Sequence, residues 1–368
     1  MYRSFFTISI LLLLLLPSSV HGKNNTHWIK HHTPNSGGTV FTDVHVIPSK
    51  LTPGNLVGYV SGELGVLIKV NTSIITPIPT WSYTNLPVDE TTYPYGVYAF
   101  NDENTVMLAG FVDSSSDDNG FIQYSRDSGN SWETRVEVGK LDWCDGPITI
   151  WEDQQHGILP SGAGLIIWVT KNGGKQASDW VPIQPDPSGA WHAGDYLTNS
   201  SGYVKMVGAT DCISLTYGQS WLSPCNPSVD PSADSGISCS NDICIIGGGE
   251  ISPNVAGWVH LSVDDGNNWQ QRVLNSPFPI RTVEVVSSKL SNTPLLIAAG
   301  GNYFSRIGGI FTSIDNGKTW IQDLDTNGEE IKSCRGVNIT LNNAPYFRLY
   351  CVSAGQISGS VYSADIPL

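Results

Sequence analysis

The sequence predicts an all-β fold of repeated four-stranded antiparallel units, and three observations indicate it. An eight-residue pattern, Ser-x-Asp-x-Gly-x-(Ser/Thr/Asn)-Trp, occurs three times in the chain. Degenerate copies continue this pattern at a nearly regular spacing, as expected for the blades of a β-propeller. After the N-terminal segment no stretch keeps a helical periodicity, whereas 38 Gly and 22 Pro suit many short strands joined by tight turns.

Each copy of the pattern is expected to form the turn of a hairpin. The Asp carboxylate can accept hydrogen bonds from N–H groups of its own turn, and the Gly supplies a positive φ without a Cβ clash. The Trp begins the next strand and is expected to cover the preceding one as an apolar lid. These roles are structural, so the repeated Asp residues are not interpreted as catalytic acids. The complete copies are Ser125, Asp127, Gly129 and Trp132; Ser262, Asp264, Gly266 and Trp269; and Ser313, Asp315, Gly317 and Trp320.

The repeat spacing predicts a seven-bladed β-propeller. Positions equivalent to the Asp are 45, 44, 48, 51 and 50 residues apart, since they fall at Asp127, Asn172, Thr216, Asp264, Asp315 and Asp365. One more unit fits upstream, with strands near Asp43–Ile47 and Leu56–Val60. The last unit ends at its third strand, which would leave an open sheet edge. We expect the segment from Trp28 to Val40 to supply the fourth strand, so that the N- and C-terminal segments pair and close the ring.

The three complete turns resemble the Asp-box, or BNR repeat, of β-propellers in sialidases, xyloglucan-degrading hydrolases and photosystem II stability/assembly factors. In overall layout most of residues 40–368 is similar to the last of these, a family of single seven-bladed propellers, and Ile148–Gly157 matches its strand and turn sequence. That resemblance implies a domain that binds protein partners and performs no chemistry. The chain departs from the family in its secretory signal, its predicted disulfides and sequons, and its lack of an arginine-rich inner patch.

The N-terminus predicts export by the secretory pathway. Residues 1–22 read as a signal peptide, with a charged start at Arg3, an apolar core over Phe5–Leu16 and a cleavage site after Gly22. The alternative is an uncleaved membrane anchor, but the apolar run is short for a span. We therefore expect a mature secreted chain of residues 23–368 that forms a single propeller domain and does not insert into a membrane.

The seven cysteines favour three local disulfides and one unpaired thiol. Three pairs flank predicted hairpin turns symmetrically, which places each pair face to face on antiparallel strands. Cys144 is left over and is expected to be a buried thiol, with a reactive thiol as the alternative, and neither a metal site nor a cofactor is expected. The predicted pairs are Cys212–Cys225, Cys239–Cys244 and Cys334–Cys351. Four sequons permit N-glycosylation at Asn24, Asn71, Asn199 and Asn338.

The charge of the chain excludes several classes of partner. The formal net charge is −14, and loss of Arg3 with the signal would make it −15. Such an acidic surface has no electrostatic footprint for nucleic acid and is repelled by anionic lipids. A neutral glycan or an extracellular protein remains as the expected partner, and we expect the protein to be a monomer.

The candidate binding site is the mouth of the central channel, where the first strand of each blade begins. Aromatic side chains there could stack on a ligand, and arginines could bind a carboxylate or pair with an acid of the next blade. The ligand-binding candidates are Trp143, Trp191, His192, Arg281 and Arg335. The catalytic candidates are the carboxylates Asp142, Asp145 and Glu250, each of which is alternatively a satisfied loop carboxylate.

Two functions of different classes follow from these residues. The first is a secreted propeller that binds a glycan or protein at the channel mouth and catalyses nothing, since no recognisable catalytic set occurs. The second is an extracellular glycoside hydrolase of the sialidase-like or xyloglucanase-like propeller group, which requires two facing carboxylates. A sialidase is disfavoured because only two of the eight arginines, Arg281 and Arg335, lie at inner-strand starts. A purely structural coat protein is a third reading.

Overall fold

The fold is described from a computed structural model of the chain. The described residues are 18–21, 26–31, 40–73, 82–85, 92–112, 119–137, 148–150, 154–160, 167–184, 191–196, 204–208, 210–214, 220, 226–227, 234–250, 256–287, 293–302, 304–305, 307–355 and 359–368. Within these ranges the only helix is one 3-10 turn, Ala177–Asp179, and the regular structure is otherwise β-strand. The all-β prediction is therefore confirmed.

The first half of the described chain forms three four-stranded antiparallel sheets after two N-terminal strands. The N-terminal strands are β1 (Ser18–His21) and β2 (His27–His31). Sheet 1 contains β3 (Phe41–Pro48), β4 (Asn55–Gly62), β5 (Val66–Ser73) and β6 (Ser82–Asn85). Sheet 2 contains β7 (Thr92–Ala99), β8 (Val106–Val112), β9 (Asn119–Ser125) and β10 (Val136–Glu137). Sheet 3 contains β11 (Thr149–Ile150), β12 (Gly157–Pro160), β13 (Ile167–Thr170) and β14 (Trp180–Ile183).

The second half repeats the same unit. Sheet 4 contains β15 (Trp191–Tyr196), β16 (Val204–Gly208), β17 (Thr210–Ser214) and β18 (Asn226–Pro227). Sheet 5 contains β19 (Asp234–Ser240), β20 (Ile243–Glu250), β21 (Ala256–Ser262) and β22 (Gln270–Ser276). Sheet 6 contains β23 (Ile280–Val286), β24 (Leu295–Asn302), β25 (Ile307–Ser313) and β26 (Ile321–Asp325). Sheet 7 contains β27 (Glu330–Leu341), β28 (Ala344–Ala354) and β29 (Val361–Pro367), joined by β2 and β1.

Sheet 7 combines the two ends of the chain. Strand β2 pairs antiparallel with β29, with Ile29 opposite Ser363, and β1 pairs with the outer edge of β2. The strand order is therefore β27, β28, β29, β2, β1, which makes this sheet five-stranded where the others have four. The outermost strand, β1, falls within the predicted signal peptide.

Among the described residues, hydrogen bonds between first strands join sheet 1 to sheets 2 and 7, and sheet 6 to sheets 5 and 7. The Asp43 carboxylate on β3 accepts from the Val97 N–H on β7 at 3.1 Å and from the Ser333 hydroxyl on β27 at 2.7 Å. His45 Nδ1 accepts from the Ala99 N–H at 3.1 Å. Burial, with a smaller contribution from Arg335, lowers the pKa of His45 to about 3, so this imidazole is neutral at pH 7 and can accept. Equivalent bonds join Val285 N–H to Ser238 Oγ and Cys334 N–H to Thr282 Oγ1.

The apolar core lies between successive sheets. One cluster joins Tyr98 of sheet 2 to Trp168 of sheet 3, and another joins Val352 of sheet 7 to Val44 of sheet 1. Further clusters lie between sheets 1 and 2, sheets 5 and 6, and sheets 6 and 7. Packing between sheets is what buries most of the apolar side chains, as expected for a repeat architecture whose single unit cannot bury its own faces.

The three complete turn motifs share one set of hydrogen bonds. In the first, the Ser125 hydroxyl donates to Asp127 Oδ1 at 2.8 Å and accepts from the Gly129 N–H at 2.7 Å. The Ser131 N–H donates to Asp127 Oδ1 at 2.7 Å. The corresponding distances are 2.7, 2.8 and 2.9 Å around Asp264, and 2.8, 3.0 and 2.9 Å around Asp315. The hydroxyl of the motif Ser is thus central to the turn, a role that the sequence analysis did not assign.

The backbone of each motif is left-handed at two consecutive residues. In the first turn φ is 60° at Ser128 and 88° at Gly129, whereas positive φ was predicted for the Gly alone. In the other two motifs φ is likewise positive at both residues, at Asp265 and Asn316 and at the glycine that follows each of them. Each motif Trp packs, partly buried, against the core of its own sheet, in line with the predicted lid: Trp132, Trp269 and Trp320.

Asp365, the last position in the repeat spacing, has a different role from the motif Asp residues. Its carboxylate accepts two hydrogen bonds from Arg348, from Nε at 2.5 Å and from Nη2 at 2.7 Å. The Arg348 side chain is only 1% exposed, and its Nη1 also donates to the Ser73 carbonyl at 2.8 Å. The incomplete seventh repeat therefore contains a buried ion pair in place of a box turn.

Two of the three predicted disulfides are confirmed. Cys239 pairs with Cys244 and Cys334 pairs with Cys351, in both cases across directly opposed strands with a Cα–Cα distance of 4.1 Å. The side chain of Cys212 and the whole of Cys225 lie outside the described residues, as does Cys144, so their predictions stand as made.

Candidate functional site

The turns at the two ends of the strands differ in kind. The first strand of each sheet begins at one end of its sheet, and residues 63–65 after β4 and residues 304–305 after β24 lie at that same end; we call it the mouth face. The opposite face holds the three motif turns, 125–132, 262–269 and 313–320, and we call it the box face. Motif turns contact the turn between the first two strands of their own sheet, since the Ser128 N–H donates to the Asn104 carbonyl and the Asp265 N–H to the Asp242 carbonyl.

A cavity of about 380 Å³ opens on the mouth face between sheets 6, 7 and 1. Its size falls within the range of small-molecule sites, which is roughly 300–1,000 Å³. Four of its lining side chains are charged and one is a large aromatic: Glu63, Arg281, Glu330, Lys332 and Phe304. This mouth cavity is the candidate functional site.

A fixed charge cluster forms one wall of the mouth cavity. Glu330, at the start of β27, is almost completely buried and accepts from Arg281 Nε at 2.9 Å and from Lys332 Nζ at 2.9 Å. Because two cations hold one carboxylate, the donors and acceptors of this wall are oriented before any ligand arrives. Both cations remain partly exposed and can also face a ligand.

Glu63 supplies a second carboxylate to the cavity. It lies in the turn between β4 and β5, where burial raises its pKa and the positive charge of Lys332 partly offsets that rise. With two acids and two cations the charged lining residues sum to no net charge at full ionisation. A neutral ligand with hydroxyl or amide groups suits such a lining better than a strongly charged one.

Phe304 stands at the rim of the cavity with 83% of its surface exposed. The turn that presents it is fixed by Asn302, whose side-chain oxygen accepts from the N–H groups of Phe304 at 2.9 Å and Ser305 at 3.1 Å. An exposed aromatic ring next to oriented polar groups can pack against a sugar face or an apolar side chain.

The sequence-predicted residues are only partly brought together here. Arg281 lines the mouth cavity, whereas Arg335 lies further along β27 and pairs with Glu284 of the neighbouring sheet at 3.2 Å. Glu250 ends β20 and Trp191 and His192 begin β15, but their side chains lie outside the described part of the structure. Asp142, Trp143 and Asp145 lie entirely outside it.

Four residues of the site were missed by the sequence analysis: Glu63, Phe304, Glu330 and Lys332. None belongs to a repeated pattern, and Glu63 is far from the others in sequence. The available indication was the position of Glu330 at the start of β27, because polar groups were sought at inner-strand starts, but Arg335 was taken as that residue of the last blade.

Metal and membrane features can be assessed only for the described residues. Among them no group of three or more His, Cys, Asp or Glu side chains is arranged to hold a metal ion. Within the same part of the chain no helix has the length and apolarity needed to cross a bilayer. The sequons at Asn71 and Asn338 are exposed on β5 and β27, whereas Asn24 and Asn199 are not described.

Comparison with known proteins identifies the fold. No protein-family model matches this sequence, and no curated protein matches it. The structure of YCF48 bound to D1 peptide aligns with a TM-score of 0.52 and 16% identity, over 91% of this chain and 94% of that one. The WD40 domain of Neurospora crassa Pan2 aligns with a TM-score of 0.50 and 9% identity, over 91% and 97% of the two chains.

A longer enzyme is also similar in part. The GH74 xyloglucanase from Xanthomonas campestris aligns with a TM-score of 0.48 and 15% identity over 94% of this chain but 48% of its own, so the chain spans about half the length of that protein. At such identities a likeness shows the fold alone. WD40 domains are β-propellers of four-stranded blades, and this chain has the same type of fold.

Proposed function

We propose that this protein is a secreted, non-catalytic β-propeller that binds a neutral glycan or a protein partner at the mouth cavity. The observation that carries the proposal is the combination of an exposed Phe304 with the oriented polar wall of Arg281, Glu330 and Lys332. Aromatic rings at the rim and convergent polar groups at the wall are the usual elements of a ligand site.

The propeller of this proposal has seven blades, three of them with complete Asp-box turns, and a closed ring. Seven sheets are described, and sheet 7 packs against both sheet 6 and sheet 1. Strand β2 is held by side-chain contacts as well as by its pairing: the fully buried Trp28 donates from Nε1 to Asp323 at 3.0 Å, and Lys30 pairs with Glu329 at 2.5 Å. Cleavage after Gly22 would remove β1 and leave four strands in sheet 7, as in every other sheet.

Binding without catalysis is favoured by the state of Glu330. A glycosidase needs one carboxyl group as an acid and a second as a nucleophile or base. Arg281 contacts one carboxylate oxygen of Glu330 and Lys332 contacts the other, so both oxygens already have partners. Such a group orients a ligand well but is poorly placed to attack one.

The test is a binding survey of the secreted protein on arrays of neutral oligosaccharides and of peptides. Peptides are included because YCF48 was solved with a peptide bound. We expect binding without cleavage, weakened by Phe304→Ala and unchanged by Val273→Ala, which alters a side chain that is 72% exposed and does not line the cavity. Equal binding by both variants would overturn the placement of the site.

The alternative function is an extracellular glycoside hydrolase, and Glu63 is the observation that favours it. Burial raises the pKa of its carboxyl group, as is required of a general acid, and Glu330 lines the same cavity. Release of reducing sugar from neutral polysaccharides, abolished by Glu63→Gln, would establish the hydrolase. Binding that persists in Glu63→Gln, with no sugar released by the wild type, would reject it.

A further inference from the structure

A second cavity, of about 290 Å³, opens on the box face and contains a sequon asparagine. Asn71 is the acceptor of Asn71-Thr72-Ser73, and it lies exposed on β5 with its side chain on the cavity wall. The walls come from the β3–β4 turn, from β5 and from two turns of sheet 2, and include Leu51, Asn55, Lys69, Asn71, Glu103 and Ser128.

The β3–β4 turn is a rigid wall because Glu103 holds it from the neighbouring sheet. Glu103 is buried in a left-handed conformation with φ of 61°, and its carboxylate accepts from the Ser49 hydroxyl at 3.0 Å and the Leu51 N–H at 3.0 Å. The Ser128 hydroxyl of the first motif turn donates to the Glu103 carbonyl at 2.6 Å. The cavity is therefore formed before any group enters it.

This wall carries an apolar side chain in an unusual position. Leu51 is 75% exposed at the tip of a turn, although its backbone is fixed. Covering such a surface stabilises the folded chain by about 25 cal/mol per Å² removed from water. Lys69, on the same strand as Asn71, also lines the cavity, and burial lowers the pKa of Lys69. A cavity lined by an apolar side chain and by hydrogen-bonding groups is suited to a sugar ring.

We propose that Asn71 carries an N-linked glycan whose first sugar residues lie in this cavity, against Leu51. This rests on the secretory route in the proposed function, because the modification takes place only there. Asn338 offers a contrast within the same chain: it is exposed on β27, opposite Phe347, and lines neither this cavity nor the mouth cavity. A glycan on Asn338 has no cavity to occupy and projects into solvent.

The test is expression of the full chain in a eukaryotic host that secretes glycoproteins, with peptide mass spectrometry and timed endoglycosidase digestion of the native protein. We expect Asn71 and Asn338 both to be occupied, with the Asn71 glycan released about tenfold more slowly, which corresponds to about 1.4 kcal/mol of opening free energy. After denaturation the two rates become equal.

A pair of variants tests whether the glycan packs against Leu51. Leu51→Ser is expected to speed release from Asn71 towards the Asn338 rate without changing occupancy, whereas Leu64→Ser, an exposed leucine on the mouth face, leaves the rate unchanged. An occupied Asn338 with an empty Asn71, or equal native release rates, would overturn the inference while leaving secretion intact. A chain retained in the cytosol without any glycan would overturn both the inference and the secretory part of the proposed function.

Discussion

The box face and the mouth face use their carboxylates in different ways. On the box face each motif Asp is satisfied by the turn that contains it, as for Asp315, whose oxygens accept from the N–H and hydroxyl of Thr319. On the mouth face Glu330 is satisfied by side chains of two sheets, Arg281 from sheet 6 and Lys332 from sheet 7. A carboxylate bonded within its own turn stabilises one hairpin. A carboxylate shared between sheets instead fixes the side chains that line the mouth cavity.

This difference separates stability from binding. Substitutions in the box turns should change folding and leave ligand affinity alone, because their polar groups are bonded internally. Substitutions at the mouth cavity should change affinity first, because Phe304 and the cations face outward. The predictions below test that separation, beginning with the largest expected effect.

The strongest test on the box side is Asp365→Ala. The change leaves the buried Arg348 cation without its bidentate partner, so we expect a loss of about 3–5 kcal/mol in the free energy of unfolding. Urea denaturation of the secreted protein measures it. The double variant Arg348→Met with Asp365→Leu removes both charges and is expected to regain most of the stability; a single variant as stable as the wild type would show that the pair does not support the incomplete repeat.

The corresponding test on the mouth side is Phe304→Ala. Loss of one exposed aromatic contact is expected to weaken ligand binding by about 1–2 kcal/mol, roughly five- to thirtyfold, with an unchanged melting temperature. Titration calorimetry with the strongest array ligand measures the affinity. A lower melting temperature with unchanged affinity would instead assign Phe304 a structural role.

The smallest expected effect is in the acid range and concerns Asp315. Hydrogen bonds from Thr319 lower its pKa to about 2 in the folded state, against about 3.9 in an unfolded chain. Its contribution to stability is therefore fully present above pH 4 and is lost as the pH falls through 2. The difference in urea midpoint between wild type and Asp315→Asn should shrink over that range, and a difference that stays constant from pH 5 to pH 2 would contradict the assignment.

The architecture was predictable because its determinants are local and repeated. The motif turns, the all-β class and the two confirmed disulfides each depend on residues within about twenty positions of one another, such as Cys334 and Cys351. The left-handed residue that precedes the Gly in each motif was missed. Ser128, Asp265 and Asn316 differ in type, and of these types only Asn and Asp favour that conformation.

The candidate site was much less predictable because it forms between sheets. Glu63 and Glu330 are distant in sequence and line one cavity only because sheets 7 and 1 pack together. Arg335 was a candidate because it lies near the start of an inner strand, but its side chain is paired with Glu284. Asp365 fitted the repeat spacing, but its role depends on Arg348 of the adjacent strand, and no spacing rule indicates that partner.

The most direct test of the separation is to measure binding and melting temperature together for three forms of the secreted protein: wild type, Phe304→Ala and Asp315→Asn. Array binding to neutral oligosaccharides and peptides is recorded for each, with the melting temperature from the same preparation. We predict that Phe304→Ala binds more weakly and melts like the wild type, while Asp315→Asn binds like the wild type and melts lower. The reverse pattern would contradict the assignment of binding to the mouth face.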